Sequence, residues 1–174
     1  MRFAATLLSV LAAAGLAASQ PGPLRTPRRI DVDYVTKIFK NLESTNTSMR
    51  FMDYVDDNVQ WTVANPDPNF KSFSLAGLYT SKQDFIVRAE GPVGAALATP
   101  LTTEVISEPI VMGNRAIVEM RSRDAGGVNL PRGKNGMLYD NRYAWLVKFD
   151  VSTGLIIETH TYMDTAMLAK LLDY

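Results

Sequence analysis

The stretch YDNRYAWLVKFDVSTGLIIETHTYMDT, Tyr139 to Thr165, is the part of the chain whose reading decides the fold. Its two runs, Tyr139–Asp150 and Leu155–Met163, carry the β-branched and aromatic residues that suit a pleated surface. Ser152-Thr153-Gly154 between them makes a turn, so the pair is expected as an antiparallel hairpin. Thr165 then opens a closing helix that carries Met167, Leu168, Leu171 and Leu172.

Upstream the β pattern continues. Leu101–Ile106, Ile110–Met112 and Ala116–Arg123 read as strands, with a Gly113-Asn114 turn before the third of them. Asp124–Gly136 is a polar, glycine-rich loop. Further back the period changes to helical. Asp31 or Asp33 caps a helix in which Val35, Ile38, Phe39 and Leu42 fall at i, i+3, i+4 and i+7. Thr47 or Ser48 caps a second, short helix bearing Met49, Met52 and Val55, followed by an acidic turn at Asp56-Asp57-Asn58. Val59, Trp61 and Val63 alternate with polar residues as one strand, and Pro66 and Pro68 mark a loop. Ser81 and Asp84 resemble a capping box opening a third helix through Phe85, Ile86 and Ala89, which Gly91-Pro92 is expected to stop. Helices placed before a run of antiparallel strands imply an α+β domain with its helices on one face of the sheet. A bent sheet facing helices leaves room for a small-molecule cavity.

The ends and the composition bound the function. Arg2 followed by the apolar, small-residue run Phe3–Ala18 and by Ala17-Ala18-Ser19 has the form of a signal peptide over residues 1–19, too weakly hydrophobic for a retained span. Residues 20–30 are proline- and arginine-rich and read as a flexible linker, with Arg28-Arg29 as a dibasic pair; the domain is expected over 31–174. Export is thus expected, with no membrane association after cleavage. The chain has no cysteine, so stability must come from a core rather than from disulfides. Eighteen basic residues balance eighteen acidic ones without clustering, which argues against a nucleic-acid partner. Asn46-Thr47-Ser48 is a glycosylation sequon. One histidine and no cysteine leave no ligand-spaced metal motif, no Gly-x-Ser-x-Gly turn occurs, and Gly126-Gly127 to Gly136 lacks the strand-to-helix setting of a phosphate loop. No metal and no cofactor are expected.

Several blocks resemble the nuclear-transport-factor-2-like superfamily, within it the SnoaL-like and ketosteroid-isomerase-like domains. They are Asp56-Asp57-Asn58-Val59-Gln60-Trp61 after paired helices, Leu75-Ala76-Gly77-Leu78-Tyr79, Glu119-Met120-Arg121, and above all Asn141-Arg142-Tyr143-Ala144-Trp145, Gly154 and Tyr162-Met163-Asp164-Thr165. The resemblance covers nearly all of the chain after the leader. It implies a cone-shaped, curved, mixed sheet packed on N-terminal helices around a pocket, often dimeric through the outer sheet face. It leaves the activity open, since such folds include isomerases, cyclases, dehydratases, epoxide hydrolases and binding modules. Two branches fit poorly. The epoxide-hydrolase pattern has Arg-x-Asp where this chain has Glu119-x-Arg121, with Val63 near its water-positioning residue, and the scytalone-dehydratase branch needs more histidines than His160.

Strand alternation puts His160, Tyr162 and Asp164 on one face, and Ile117, Glu119, Arg121 and Arg123 on another shared face. If those rows line the pocket, Asp164 is a proton shuttle with Tyr143 or Tyr162 polarising a carbonyl, and His160 is a further catalytic candidate. Trp61, Tyr79, Glu119, Arg121 and Asn141 are then substrate-binding candidates. Each has a structural alternative: Asp164 as cap of the last helix, Glu119 and Arg121 as a surface ladder, His160 as a hydrogen-bonded neutral group, the tyrosines and Trp61 as core. The functional expectation is a secreted, cofactor-free proton-transfer isomerase, cyclase or dehydratase acting on a small apolar metabolite such as a polyketide or terpenoid. The alternative is a non-catalytic secreted ligand-binding or protein-interaction domain.

Overall fold

A computed structural model describes residues 29–71 and 73–172. The expected signal peptide and most of the expected linker lie outside the described residues. Ile30, at the linker's end, is buried against the core.

Helix α1, Val32–Phe39, starts where expected: Asp31 accepts a hydrogen bond from the Tyr34 N–H at 3.0 Å, satisfying one of the free donors of the first turn. Its Val35, Ile38 and Phe39 are fully buried, and each such side chain contributes about 1.5–3 kcal/mol relative to exposure. A 3-10 turn, Lys40–Glu43, follows, then the short α2, Ser48–Phe51, and a second 3-10 turn, Met52–Tyr54.

Strand β1 spans Val55–Val63 and absorbs the expected Asp56-Asp57-Asn58 turn. The residues bulge within the strand instead: the pairing register shifts between Val55 and Gln60, and Asp56 accepts from the Asn58 N–H. β2 is Gly77–Tyr79. Ser81 caps α3, Lys82–Phe85, through the Asp84 N–H. Contrary to expectation, Gly91-Pro92 does not end the helical run. A π-helical segment, Ile86–Glu90, leads into α4, Gly91–Ala96. Pro92 is the second residue of α4, directly after the π-helical segment.

The remaining elements follow the expected order: β3 Leu101–Val105, β4 Ile110–Met112, β5 Arg115–Asp124, β6 Arg142–Phe149, β7 Ile156–Met163 and α5 Thr165–Leu172. The sheet order is β2-β1-β7-β6-β5-β3, with β4 also on β5; β1 and β7 are parallel and the other pairs antiparallel. The sheet is therefore mixed and open, with helices on its inner face. No described helix is long and apolar enough to cross a membrane.

Alternation decides which face is inner. Along β5, Ala116, Val118, Met120 and Ser122 are buried, whereas Arg115 and Glu119 are exposed; along β7, Thr159 and Thr161 are buried and Tyr162 is exposed. Trp61 on β1 is fully buried, stacked on Phe85 at 3.7 Å between ring centroids and set edge-on to Trp145. Its indole N–H donates to the Thr161 hydroxyl at 2.9 Å. A hydroxyl inside this apolar wall is thereby given a partner.

Candidate functional site

Between the inner sheet face and the helices lies a cavity of about 180 Å³. Its walls are largely apolar: Phe51 and Met52 from α2 and the turn after it, Phe85 and Ala89 from the α3 run, and Trp145, Met163 and Leu168 from the closing hairpin and α5. Polar groups are few. Among the lining residues Ser48, Thr102, Thr103 and Thr161 are hydroxyl-bearing, the Thr102 hydroxyl being taken up by the Asp124 carbonyl at 2.7 Å, Tyr139 and Tyr143 are phenols, and Glu90 is the one carboxylate.

Tyr143 reaches the cavity because β6 alternates, placing Tyr143, Trp145 and Val147 on the inner face. Its hydroxyl lies 3.1 Å from Ser122 Oγ and donates to the Tyr139 hydroxyl at 3.3 Å. Asn141, fully buried, donates from Nδ2 to the same Tyr139 oxygen at 3.0 Å. With two donors on its oxygen, the Tyr139 hydroxyl is left with its own hydrogen to offer. Burial pushes the Tyr139 pKa up and the Tyr143 pKa well above the ordinary tyrosine value, so both phenols stay protonated and can donate. Tyr143 lines the cavity and is partly buried, and the loss of hydration around its hydroxyl is the largest cause opposing its ionisation.

Glu90 ends the π-helical segment, whose wider turn re-aims the residues that follow it. Its side chain is partly open to solvent and lines the cavity, and desolvation raises its pKa above the usual glutamate value. Among the described residues no cation pairs with it, and a carboxylate beside apolar walls without such a partner is a stronger base than one in water.

The residues expected from sequence to form the site divide sharply. Tyr143 faces the cavity. Trp61 supports its wall from behind, and Asn141 orients the tyrosine pair. Tyr79 is buried, but its hydroxyl donates to the Leu75 carbonyl at 2.8 Å and it packs on Phe85. Asp164 lies outside the cavity and is exposed. Its Oδ1 accepts from the Met167 N–H at 3.0 Å, so it caps α5. His160 and Tyr162 point to the outer sheet face, His160 lying 3.1 Å from Glu158, and Tyr162 half-exposed. Glu119 is also on that face, accepting from Ser107. Arg121 makes a two-point ion pair with Glu104, at 2.7 and 2.9 Å, and Arg123 donates to the same carboxylate; together they hold the Glu104 pKa down to about 2. His160 with Tyr162, and Ile117, Glu119, Arg121 and Arg123, therefore do share faces along their strands, but those faces form the outside of the cone, and Asp164 falls beyond the end of β7. Asn46 is exposed in a turn.

Glu90 and Tyr139 escape a sequence reading. The signal for Glu90 was the carboxylate immediately before Gly91-Pro92 at an expected helix end, which reads as solvated unless the helix continues. Tyr139 reads as the first residue of a strand, whereas it precedes β6 in a segment pinned by its N–H to the Pro131 carbonyl.

Solved structures share this architecture at low sequence identity. A nuclear-transport-factor-2-like protein from Burkholderia thailandensis aligns with a TM-score of 0.61 at 16% identity, over 81% of this chain and 95% of its own. TerC, crystallised with polyporic acid, aligns at 0.60 and 11% identity over 82% of this chain and 98% of its own. A Jannaschia protein named as a SnoaL-like polyketide cyclase aligns at 0.56 and 14% identity, over 81% of this chain and 90% of its own. No family model and no curated protein matches the chain by sequence. At such identities the likeness concerns the fold. The chain has the open, mixed-sheet cone fold of nuclear-transport-factor-2-like proteins, the fold shared by SnoaL-like domains.

Proposed function

We propose that the chain is a cofactor-free proton-transfer enzyme, an isomerase, cyclase or dehydratase, acting on a small, apolar, oxygen-bearing metabolite such as a polyketide or terpenoid. The observation that supports it is one carboxylate of raised pKa, Glu90, lining the same apolar cavity as the coupled phenols of Tyr143 and Tyr139. Glu90 removes a proton from a carbon next to the substrate carbonyl. The electron pair moves onto the carbonyl oxygen, which takes a hydrogen bond from the tyrosine pair as charge develops there. The protonated Glu90 then returns the proton at another carbon, restoring the carboxylate. Asp164, His160 and Tyr162 have no part in this scheme because they lie outside the cavity.

The leader-like residues 1–19 support export, the exposure of Asn46 is compatible with a glycan, and the exposed outer sheet face around Tyr162 is compatible with a homodimer. The second reading, a non-catalytic carrier, draws support from the apolar walls and from a fold neighbour crystallised with polyporic acid. Deuterium exchange at the acidic α-carbon of 2-tetralone in D2O, followed by NMR, separates the two. Exchange above the buffer rate that Glu90→Gln lowers by roughly 100-fold or more, with 2-tetralone still bound, is expected for the enzyme. Binding without exchange would reduce the site to a carrier.

A further inference from the structure

The cavity is smaller than the roughly 300 Å³ and upward of typical ligand pockets, so a ligand of ordinary metabolite size must extend through its mouth. The mouth has a continuation. A separate open groove shares Glu90, Val93 and Leu101 with the cavity walls and runs on between α4 and the start of β3, along Gly94, Leu97 and Ala98–Leu101. Apart from Glu90, its lining residues carry no charge.

The groove is preformed. Its far wall, the connection from α4 to β3, is pinned to the loop before β6: the Ala98 N–H donates to the Arg132 carbonyl at 2.8 Å and the Lys134 N–H to the Ala96 carbonyl at 2.9 Å, with Leu97 bridging to Gly133. Gly133 is tightly enclosed, since a Cβ there would lie 2.7 Å from Leu171 Cδ1. Gly94 is the opposite case. A Cβ added to it meets nothing within 4 Å, so a groove wall carries no side chain just where space is open. Glycine inside a helix costs about 1 kcal/mol relative to alanine, so its position on this wall comes at an expense to α4.

From these features, and resting on the reading of the cavity as the site for an oxygen-bearing ligand, we infer that the natural ligand has two parts: a compact ring head in the cavity and an uncharged, linear apolar tail in the groove across Glu90, Val93 and Leu101. The Glu90 carboxylate at the junction disfavours an anionic tail. The apolar walls around Val93, Leu97 and Leu101 reward methylene groups.

Phenyl alkyl ketones of increasing chain length, from acetophenone to octanophenone, test this by calorimetric titration of the full protein and of Gly94→Phe. The substitution replaces a helix-interior glycine and is expected to fold; Thr99→Trp, from the other wall, provides an independent block. In the unsubstituted protein affinity should rise about two- to fourfold per methylene, up to the limit set by full methylene burial. Both variants should bind acetophenone unchanged and lose that rise. A flat series in the unsubstituted protein, or the same rise in folded variants of both kinds, overturns the groove assignment while leaving the cavity reading intact. Failure of acetophenone itself to bind overturns both.

Discussion

Asn141 and Asp164 are joined by a closed pair of hydrogen bonds: the Asp164 N–H donates to Asn141 Oδ1 at 2.9 Å, and Asn141 Nδ2 donates to the Asp164 carbonyl at 3.0 Å. This pair ties the segment entering β6 to the exit of β7. Because Nδ2 also donates to Tyr139, the same buried amide holds the phenols of the cavity. Removing it strands several buried polar atoms at once. Asn141→Ala is expected to cost about 3 kcal/mol, read from urea unfolding, and to weaken ligand binding; a loss below about 1 kcal/mol would contradict this role.

Asp164 acts through its cap. Asp164→Ala should lower stability by about 1 kcal/mol, whereas Asp164→Asn, which can still accept at the helix start, should be close to neutral. Both should retain the 2-tetralone exchange rate of the parent protein. An abolished rate in folded Asp164→Asn would return this residue to the chemistry.

Glu90 should show its environment in the pH dependence of stability. Its folded pKa lies above the unfolded one, so the folded state binds the proton more tightly. Below the unfolded carboxyl pKa both states are neutral there and the parent and Glu90→Gln should be equally stable. As pH rises through the interval up to the raised folded pKa, the parent should fall behind the variant and then stay behind. Chemical denaturation at pH 4 and pH 8 tests the sign. A variant less stable than the parent at pH 8 would mean that the carboxylate has a stabilising partner.

Tyr143 should resist ionisation. Its raised pKa predicts no phenolate at this residue until pH is well above the ordinary tyrosine range, and a stability that declines as pH climbs past the unfolded pKa. Ultraviolet titration comparing the parent with Tyr143→Phe should give superimposable curves up to unfolding. The same variant should slow 2-tetralone exchange by roughly tenfold or more through loss of a hydroxyl from the donor chain.

Much of the fold was legible because it follows from period and punctuation. The stripe Val35, Ile38, Phe39, the Ser81 cap, the Gly113-Asn114 turn and the hairpin around Gly154 are local features, and each appears where alternation and turn chemistry put it. Two local expectations failed for local reasons. Asp56-Asp57-Asn58 has the composition of a turn, yet a bulge accommodates it within β1. Gly91-Pro92 reads as a stop, yet the π-helical segment before it allows the helical run to continue to Ala96.

The candidate site was less legible. His160, Tyr162, Glu119 and Arg121 were rightly grouped by strand parity, but parity alone does not say which group faces the helices. Thr159 and Thr161, mildly polar, turn inward because Trp61 and the cavity lie there, and the charged row turns outward into water and ion pairs. By itself, then, the sequence determined the α+β class, the element order, a core independent of disulfides and the membership of each strand face, since all of these depend on neighbours a few residues apart. The tertiary structure alone decided the parallel pairing of β1 with β7, the outward direction of the polar rows, and the placing of Glu90 on the walls of the same cavity as Tyr143 and Tyr139. Those three depend on contacts between residues far apart in the chain, where burial of the whole sheet face outweighs the preference of any single side chain.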